Sequence, residues 1–166
     1  MIYLFALYMA IPAFVANAAP VFAAKFDVSK RYNHPINTRL FGEHKTWRGF
    51  IAGVIAGTIA SAIQWCVFAP HFADIGEAVL FGALGSMGAL FGDIAKSFLK
   101  RRLHIAPGKP FIPFDYIDYM IGFLLFTYPL YSWSMQEAVF LIAAVIILNP
   151  LTNVLGYLTG VKNTYW

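Results

Sequence analysis

Residues Gly92–Tyr119 read GDIAKSFLKRRLHIAPGKPFIPFDYIDY and join the end of one apolar segment to the start of the next. Asp93 follows a long apolar run, and four basic residues come within nine positions of it. Two more aspartates, Asp115 and Asp118, follow three positions apart. A carboxylate at the edge of an apolar helix needs compensation, because an unpaired charge is costly to bury.

The composition of the chain is that of a membrane protein. Of its 166 residues, 60% are hydrophobic and 12% are charged, and the mean hydropathy is +0.65. A soluble domain is about half apolar and about one quarter charged. We predict a single membrane-embedded domain, residues 1–166. Its expected partner is the lipid bilayer, and no nucleic-acid partner is expected. The one cysteine, Cys66, excludes a disulfide framework and a cysteine zinc site.

The hydropathy pattern predicts an all-α fold with about five transmembrane helices of ~20 residues each. The predicted spans are about 2–24, 49–69, 78–98, 117–134 and 137–159. The first contains no Lys or Arg, so it lacks the basic region of a signal peptide and is predicted to be retained. Pro129 predicts that the fourth helix is short or kinked.

The distribution of positive charge predicts the orientation of these helices. All 12 Lys and Arg residues, Lys30, Arg31 and Lys162 among them, lie in the connections after the first and third helices or near the C-terminus. Positively charged loops stay in the cytoplasm. We therefore predict an outside N-terminus, an inside C-terminus and two long cytoplasmic loops, in the cytoplasmic (inner) membrane. The oligomeric state is left open.

Small and polar residues mark the helix faces that meet inside the protein. Glycine stripes in the second and third helices predict close helix packing, and room for a ligand is an alternative role for Gly92. Intramembrane polar groups usually face a cavity, and five of them fall near the predicted inner side. They are Asn17, Asp93, Ser97, Asn149 and Asn153. We predict a polar pocket that opens to the cytoplasm, with helix–helix hydrogen bonding as the alternative for each Asn.

The aspartates and the cations around them predict a site for metal and phosphate. On a helix, Asp93, Lys96, Ser97 and Lys100 share one face. Carboxylates bind hard divalent cations such as Mg²⁺, which usually bind substrate phosphates as well, and Lys and Arg bind the remaining phosphate oxygens. We predict a Mg²⁺–nucleotide site, with a purely structural Asp93–Lys96 pair as the alternative.

A second basic cluster lies in the segment NTRLFGEHKTWRG, Asn37–Gly49, just before the second helix. It contains Lys45, Thr46 and Arg48, and a helix N-terminus adds N–H groups that favour an anion. Membrane topology alone is an alternative explanation for its positive charges. No Gly-x-x-x-x-Gly-Lys-Ser/Thr motif is present, so an ordinary phosphate-binding loop is excluded.

These segments resemble the CTP-dependent lipid cytidylyltransferases, and the short CDP-archaeol synthases most of all. The match consists of a Lys-Thr-x-x-Gly element at Lys45–Gly49, Gly-Asp at Gly92–Asp93, Ser-x-x-Lys-Arg at Ser97–Arg101, and the aspartates of Asp115–Asp118. The Lys-Asp and His-Gly-Gly elements of the longer phosphatidate enzymes are missing. The resemblance covers nearly the whole chain.

The resemblance implies transfer of CMP from CTP to a membrane lipid phosphate, with release of pyrophosphate and a requirement for Mg²⁺. The lipid would be archaeal 2,3-di-O-geranylgeranylglyceryl phosphate or similar to phosphatidic acid. Asp93, Asp115 and Asp118 would bind metal and act in catalysis together with Lys96. The remaining residues implied in substrate binding are Lys45, Thr46, Arg48, Ser97, Lys100 and Arg101.

Two other functions fit the same residues at this point. A CTP-dependent polyprenol or lipid kinase also uses metal, but its alcohol acceptor requires a general base, which Asp115 or Asp118 would have to provide. A small non-enzymatic transporter is the other alternative. Transporters often contain inverted repeats with substrate at the membrane midplane, whereas this chain has no visible repeat and its polar groups lie toward one side.

Overall fold

The structure, a computed structural model, describes residues 1–26, 33–68, 72–106 and 109–160. Lys30, Arg31 and Lys162, which contributed to the predicted orientation, lie outside these residues. The described residues form helices and no strand, which confirms the predicted all-α class. The helices are α1 (Ile2–Met9), α2 (Ile11–Lys25), α3 (Thr38–Phe41), α4 (Trp47–Phe68), α5 (Ile75–Arg102), α6 (Phe114–Thr127) and α7 (Met135–Leu158).

The first predicted helix is interrupted at Ala10, between α1 and α2. Pro12 has no N–H to donate to the carbonyl of Tyr8, one helical turn earlier. The buried side chain of Gln64, on α4, donates to this carbonyl at 2.6 Å instead. In return, the Tyr8 hydroxyl donates to the Gln64 backbone carbonyl at 3.0 Å. The Gln64 side chain thus replaces a hydrogen bond that proline removes.

Within the residues that the structure describes, four helical segments are long and apolar enough to cross a membrane. They are Ile2–Lys25, Trp47–Val67, Ile75–Arg102 and Met135–Leu158. α6, at 14 residues, spans about 21 Å at 1.5 Å per residue. It ends two residues before Pro129, which confirms that this helix is short. The fifth full span and the orientation of the helices stay predictions.

Helices α5 and α6 contact each other through glycine backbone. A Cβ placed on Gly122 would lie 2.0 Å from the Gly88 carbonyl oxygen, and one on Gly92 would lie 2.2 Å from the Asp118 carbonyl oxygen. Neither backbone can move away cheaply, because it belongs to a helix. The glycine stripe is therefore a packing surface, as predicted, and Gly92 sets the distance between α5 and Asp118.

The glycines of α4 have the same function toward α2 and α5. A Cβ on Gly53 would lie 2.8 Å from the Ala16 carbonyl oxygen, and one on Gly57 would overlap Ser86. A stripe of exposed apolar side chains follows α4 at every fourth position. It consists of Ile51, Ile55, Ile59, Ile63 and Val67. Such a surface is suited to lipid chains.

We expect Gly122→Ala to destabilise the protein, although alanine is intrinsically about 1 kcal/mol better than glycine in a helix. The added methyl group meets helix backbone, and overpacking costs about 1–3 kcal/mol. Thermal unfolding of the purified protein in detergent measures the effect. Leu125→Ala, on the exposed side of α6, is the control. An unfolding temperature equal to that of the wild type would contradict the close backbone contact.

The predicted orientation can be tested with single cysteines in a Cys66→Ser background. A membrane-impermeant maleimide, applied to right-side-out vesicles, should label Ser132→Cys in the connection between α6 and α7. It should not label Glu43→Cys in the segment before α4 until the membrane is opened. The reverse pattern would place the positively charged loops outside the cell.

Candidate active site

Three carboxylates converge on one lysine at the junction of α5 and α6. The ammonium Nζ of Lys96 lies 3.0 Å from Asp93 Oδ1, 2.8 Å from Asp118 Oδ2 and 3.5 Å from Asp115 Oδ1. Asp93 and Lys96 share a face of α5 one turn apart, and both other aspartates are presented by the first turns of α6. The predicted convergence of the three aspartates is therefore confirmed.

Lys45 reaches this cluster from the segment between α2 and α4. An isolated antiparallel bridge pairs Pro35 with Thr46, and the Ile36 N–H donates to the Lys45 carbonyl at 2.7 Å. This bridge fixes the backbone so that Lys45 Nζ forms an ion pair with Asp93 Oδ2. A residue distant in sequence thus becomes part of the charged site.

Lys100 ties the end of α5 to the start of α6. Its Nζ donates to the Lys109 carbonyl at 2.6 Å and to the two Asp115 carboxylate oxygens at 3.2 and 3.3 Å. The Phe111 N–H donates to Asp115 Oδ2 as well. Asp115 and Lys100 therefore hold Lys109 and Phe111, just before α6, against the site.

The charged cluster is compact, partly buried and neutral in sum. The carboxylates of Asp93, Asp115 and Asp118 face the ammonium groups of Lys45, Lys96 and Lys100. The Asp118 side chain is 6% exposed and that of Lys96 is 15% exposed. Ions shielded from water in this way must be paired, because removing one partner leaves an uncompensated charge.

A cavity of about 880 Å³ opens beside this cluster. One end of its wall is charged, with all six residues of the cluster in the lining. The rest of the wall is largely apolar and comes mainly from α2 and α7, where Phe14, Val21, Phe22, Leu148 and Leu155 line it. The cavity therefore offers a polar end and an apolar wall to the same ligand.

Four of the five residues that were predicted to face a polar pocket line this cavity, and its opening to the cytoplasm stays a prediction. Asn17, Asp93, Asn149 and Asn153 line the cavity, whereas Ser97 does not. Asn149 also holds two helices together, since its Nδ2 donates to the Tyr116 carbonyl at 2.8 Å. Both interpretations of Asn149 are thus correct.

Four of the predicted substrate-binding residues lie outside this cavity lining. Thr46 Oγ accepts from the Gly49 N–H at 3.2 Å and caps α4, and Ser97 Oγ donates to the Asp93 carbonyl at 2.9 Å. Arg48 is buried. Arg101 donates to the Ile105 carbonyl at 2.8 Å and lines a separate cavity of about 320 Å³. Their binding of substrate stays a prediction.

Two further residues line the charged end of the cavity and were not singled out from the sequence. Tyr119 follows Asp118 on α6, and Lys109 precedes that helix. Lys109 is one of the basic residues in the connection after the third predicted helix, and this was the only signal for it. Tyr119 follows the pattern of an ordinary core aromatic, and it is indeed buried.

A CarS-like CDP-archaeol synthase family model matches residues 1–166. The chain belongs to the CDP-archaeol synthase family. It is 35% identical to the CDP-archaeol synthase of Pyrococcus abyssi over 164 residues, which cover 97% of this chain and 96% of that protein. It is 32% identical to the CDP-archaeol synthase of Methanococcus aeolicus over 167 residues, covering 94% and 92% of the two chains.

The fold also matches that of a solved structure. The similarity is to an intramembrane enzyme for archaeal membrane lipids biosynthesis, with a TM-score of 0.79 and 31% sequence identity. It covers 92% of this chain and 94% of the other. As a member of the CDP-archaeol synthase family, the protein is therefore a membrane-embedded enzyme.

The carboxylate oxygens of the cluster are donors that Mg²⁺ binds, but they are spaced to hold the ammonium group of a lysine. Carboxylate oxygens are ligands that Mg²⁺ prefers, and Asp93, Asp115 and Asp118 provide them from one locality. The described residues contain no group of three acidic, His or Cys side chains spaced to hold a metal ion, because the three carboxylates surround an ammonium group. The chemistry of this donor set fits Mg²⁺, and the metal requirement stays a prediction.

We expect Lys100→Met to loosen the connection between α5 and α6, because it leaves the Lys109 carbonyl and Asp115 without this donor. Limited proteolysis with mass spectrometry should then show faster cleavage between Leu103 and Pro113. Lys109→Met is a matched control, since Lys100 binds the backbone of residue 109 and not its side chain. Equal cleavage rates for wild type and Lys100→Met would show that Lys100 does not restrain this connection.

Proposed function

We propose that this protein transfers CMP from CTP to an archaeal lipid phosphate and so forms a CDP-lipid and pyrophosphate. Membership of the CDP-archaeol synthase family supports the reaction. The structural observation that supports the reaction is the cavity beside the charged cluster, which combines ammonium and carboxylate groups with an apolar wall. Such a cavity suits a phosphate whose remaining part is a lipid.

The reaction is a phosphoryl-type substitution without a protein nucleophile. An oxygen of the lipid phosphate attacks the α-phosphorus of CTP, the bond from this phosphorus to the bridging oxygen of the β-phosphate breaks, and pyrophosphate leaves with the electron pair. Catalysis then depends on orientation and on compensation of negative charge. Lys45, Lys96 and Lys100 can neutralise the phosphates, because all three line the charged end of the cavity.

Asp93, Asp115 and Asp118 would hold Mg²⁺, and Asp115 also positions the connection before α6. A divalent ion, when bound, supplies concentrated positive charge that stabilises phosphate oxygens during such a transfer. The cluster lies on the side of the membrane where the positively charged loops are predicted. We therefore place the active site on the cytoplasmic side, where CTP is available.

The lipid chains would lie between α2 and α7. These helices both line the cavity, but in the part of the chain that the structure describes they do not pack on each other. At their ends, Lys25 Nζ donates to the Gly160 carbonyl at 3.3 Å. The lipid phosphate could reach the cluster along this side while its chains remain in the bilayer.

Incorporation of labelled CTP by the purified full-length protein tests this function. We expect a labelled lipid and stoichiometric pyrophosphate with 2,3-di-O-geranylgeranylglyceryl phosphate as the acceptor. Release of CDP would indicate a kinase, and failure with every lipid phosphate would contradict the proposal. Phosphatidic acid, assayed in parallel, determines whether an ester-linked lipid also serves.

We expect Asp93→Asn and Asp118→Asn each to lower turnover at least ~100-fold, equivalent to about 2.7 kcal/mol in the activation barrier. Each substitution removes a negative charge from the cluster and retains nearly the same shape. The assay is the same CTP incorporation, and Asp74→Asn is the matched control. Asp74 caps the opposite end of α5, and asparagine is also a good helix cap. Normal turnover of either cluster variant would remove that residue from the site.

A further inference from the structure

Lys96 lies where the three aspartates meet. Of the cations that the structure describes, it alone is paired with Asp93, Asp115 and Asp118 at once; Lys45 pairs with Asp93 and Lys100 pairs with Asp115. The carboxylate oxygens stand 2.8 to 3.5 Å from its Nζ. Mg²⁺ takes oxygen ligands at about 2.0–2.1 Å, so the carboxylates are spaced for an ammonium ion.

An ammonium and a divalent cation cannot both occupy the centre of three carboxylates. Like charges at contact distance repel strongly, and the repulsion is larger away from bulk water. A metal ion that binds all three aspartates must therefore displace Lys96 Nζ. Once displaced, the charge of Lys96 remains inside a partly buried site, where an unpaired ion is costly.

A phosphate group provides a new partner for the displaced lysine. Lys96 lines the cavity on the same side as Lys45 and Lys100, so its flexible side chain can turn from the carboxylates toward a nucleotide without leaving the site. Binding of the metal is then favourable mainly when phosphate is present. Two ligands that each improve the binding of the other are thermodynamically coupled.

We propose that Lys96 is an exchangeable counter-ion, which holds the aspartates together in the empty enzyme and yields its place to a divalent cation when nucleotide phosphate arrives. This inference rests on the proposed function, since it requires the aspartates to bind metal. It assigns Lys96 a role before the chemical step. The free enzyme would bind divalent cations weakly, and the cation and nucleotide would be taken up together.

A permanent ion pair is the competing interpretation, and it leads to a different result. If Lys96 only stabilises the fold, nucleotide should raise the metal affinity of wild type and of a variant without Lys96 by the same factor. If Lys96 is exchanged for the cation, its removal should strengthen metal binding in the absence of nucleotide and reduce the further gain when nucleotide is added. The nucleotide dependence of the metal affinity therefore separates the two roles, and it does not depend on turnover.

The experiment measures Mn²⁺ binding to the full-length protein in detergent by electron paramagnetic resonance. Wild type, Lys96→Met and Lys96→Gln are titrated with and without a CTP analogue that cannot be cleaved between its α- and β-phosphates. Lys25→Met is the matched control, because it removes the same charge from an exposed position outside the cluster. Thermal unfolding with and without Mn²⁺ checks that each variant is folded.

Without nucleotide, we expect Lys96→Met to bind Mn²⁺ roughly 10-fold or more tightly than wild type, because a competing charge has been removed. Lys96→Gln should change in the same direction and Lys25→Met should not. The gain in Mn²⁺ affinity on adding the analogue should be smaller in the Lys96 variants than in wild type. Stabilisation by Mn²⁺ of an otherwise unstable Lys96 variant would also support the exchange.

Unchanged or weaker Mn²⁺ binding by both Lys96 variants would overturn the counter-ion role. If wild type still binds Mn²⁺ together with the analogue, the proposed metal-dependent transfer is unaffected by that result. If wild type binds the analogue but no Mn²⁺, the assignment of the aspartates to metal fails and the counter-ion role fails with it. The CTP incorporation assay then shows whether the protein transfers CMP to the lipid phosphate.

Discussion

The backbone contact between α5 and α6 determines whether the charged site can form. Gly88 and Gly122 allow the two helices to touch, and Gly92 lies against the carbonyl of Asp118. Side chains on these positions would hold the helices apart. Asp118 would then be separated from Asp93 and Lys96, which belong to the adjoining turns of α5. Small residues in the membrane core thus set a distance between charged residues at its edge.

The charged cluster has an energetic consequence for the empty protein. Three carboxylates placed together for a metal ion would repel one another in its absence. Ammonium groups from α5 and from the segment before α4 compensate that charge in the described structure. The same lysines are the groups expected to meet phosphate. One set of lysines can therefore compensate the aspartates in the empty site and neutralise phosphate in the occupied site.

Much of this arrangement could be predicted from local sequence. Helical spacing placed Asp93, Lys96 and Lys100 on one face, and Pro129 predicted the short α6. Local spacing could not predict the partner of Gln64, because the pairing with Tyr8 depends on two helices distant in sequence. The same spacing could, however, have predicted that Arg101 lies on a different face of α5 from Lys100, since successive residues in a helix differ by about 100° in direction. The resemblance to lipid cytidylyltransferases placed Arg101 at the substrate, and the structure places it at another cavity.

The cavity wall shared by α2 and α7 has a kinetic consequence for the proposed reaction. A lipid that approaches along that wall is encountered by diffusion in two dimensions, whereas the nucleotide arrives from water. The relevant measure of the lipid is then its mole fraction in the membrane or micelle, and added detergent or inert lipid dilutes it at constant bulk concentration. The product keeps its chains and can pass to the next enzyme within the same bilayer, without crossing an aqueous phase.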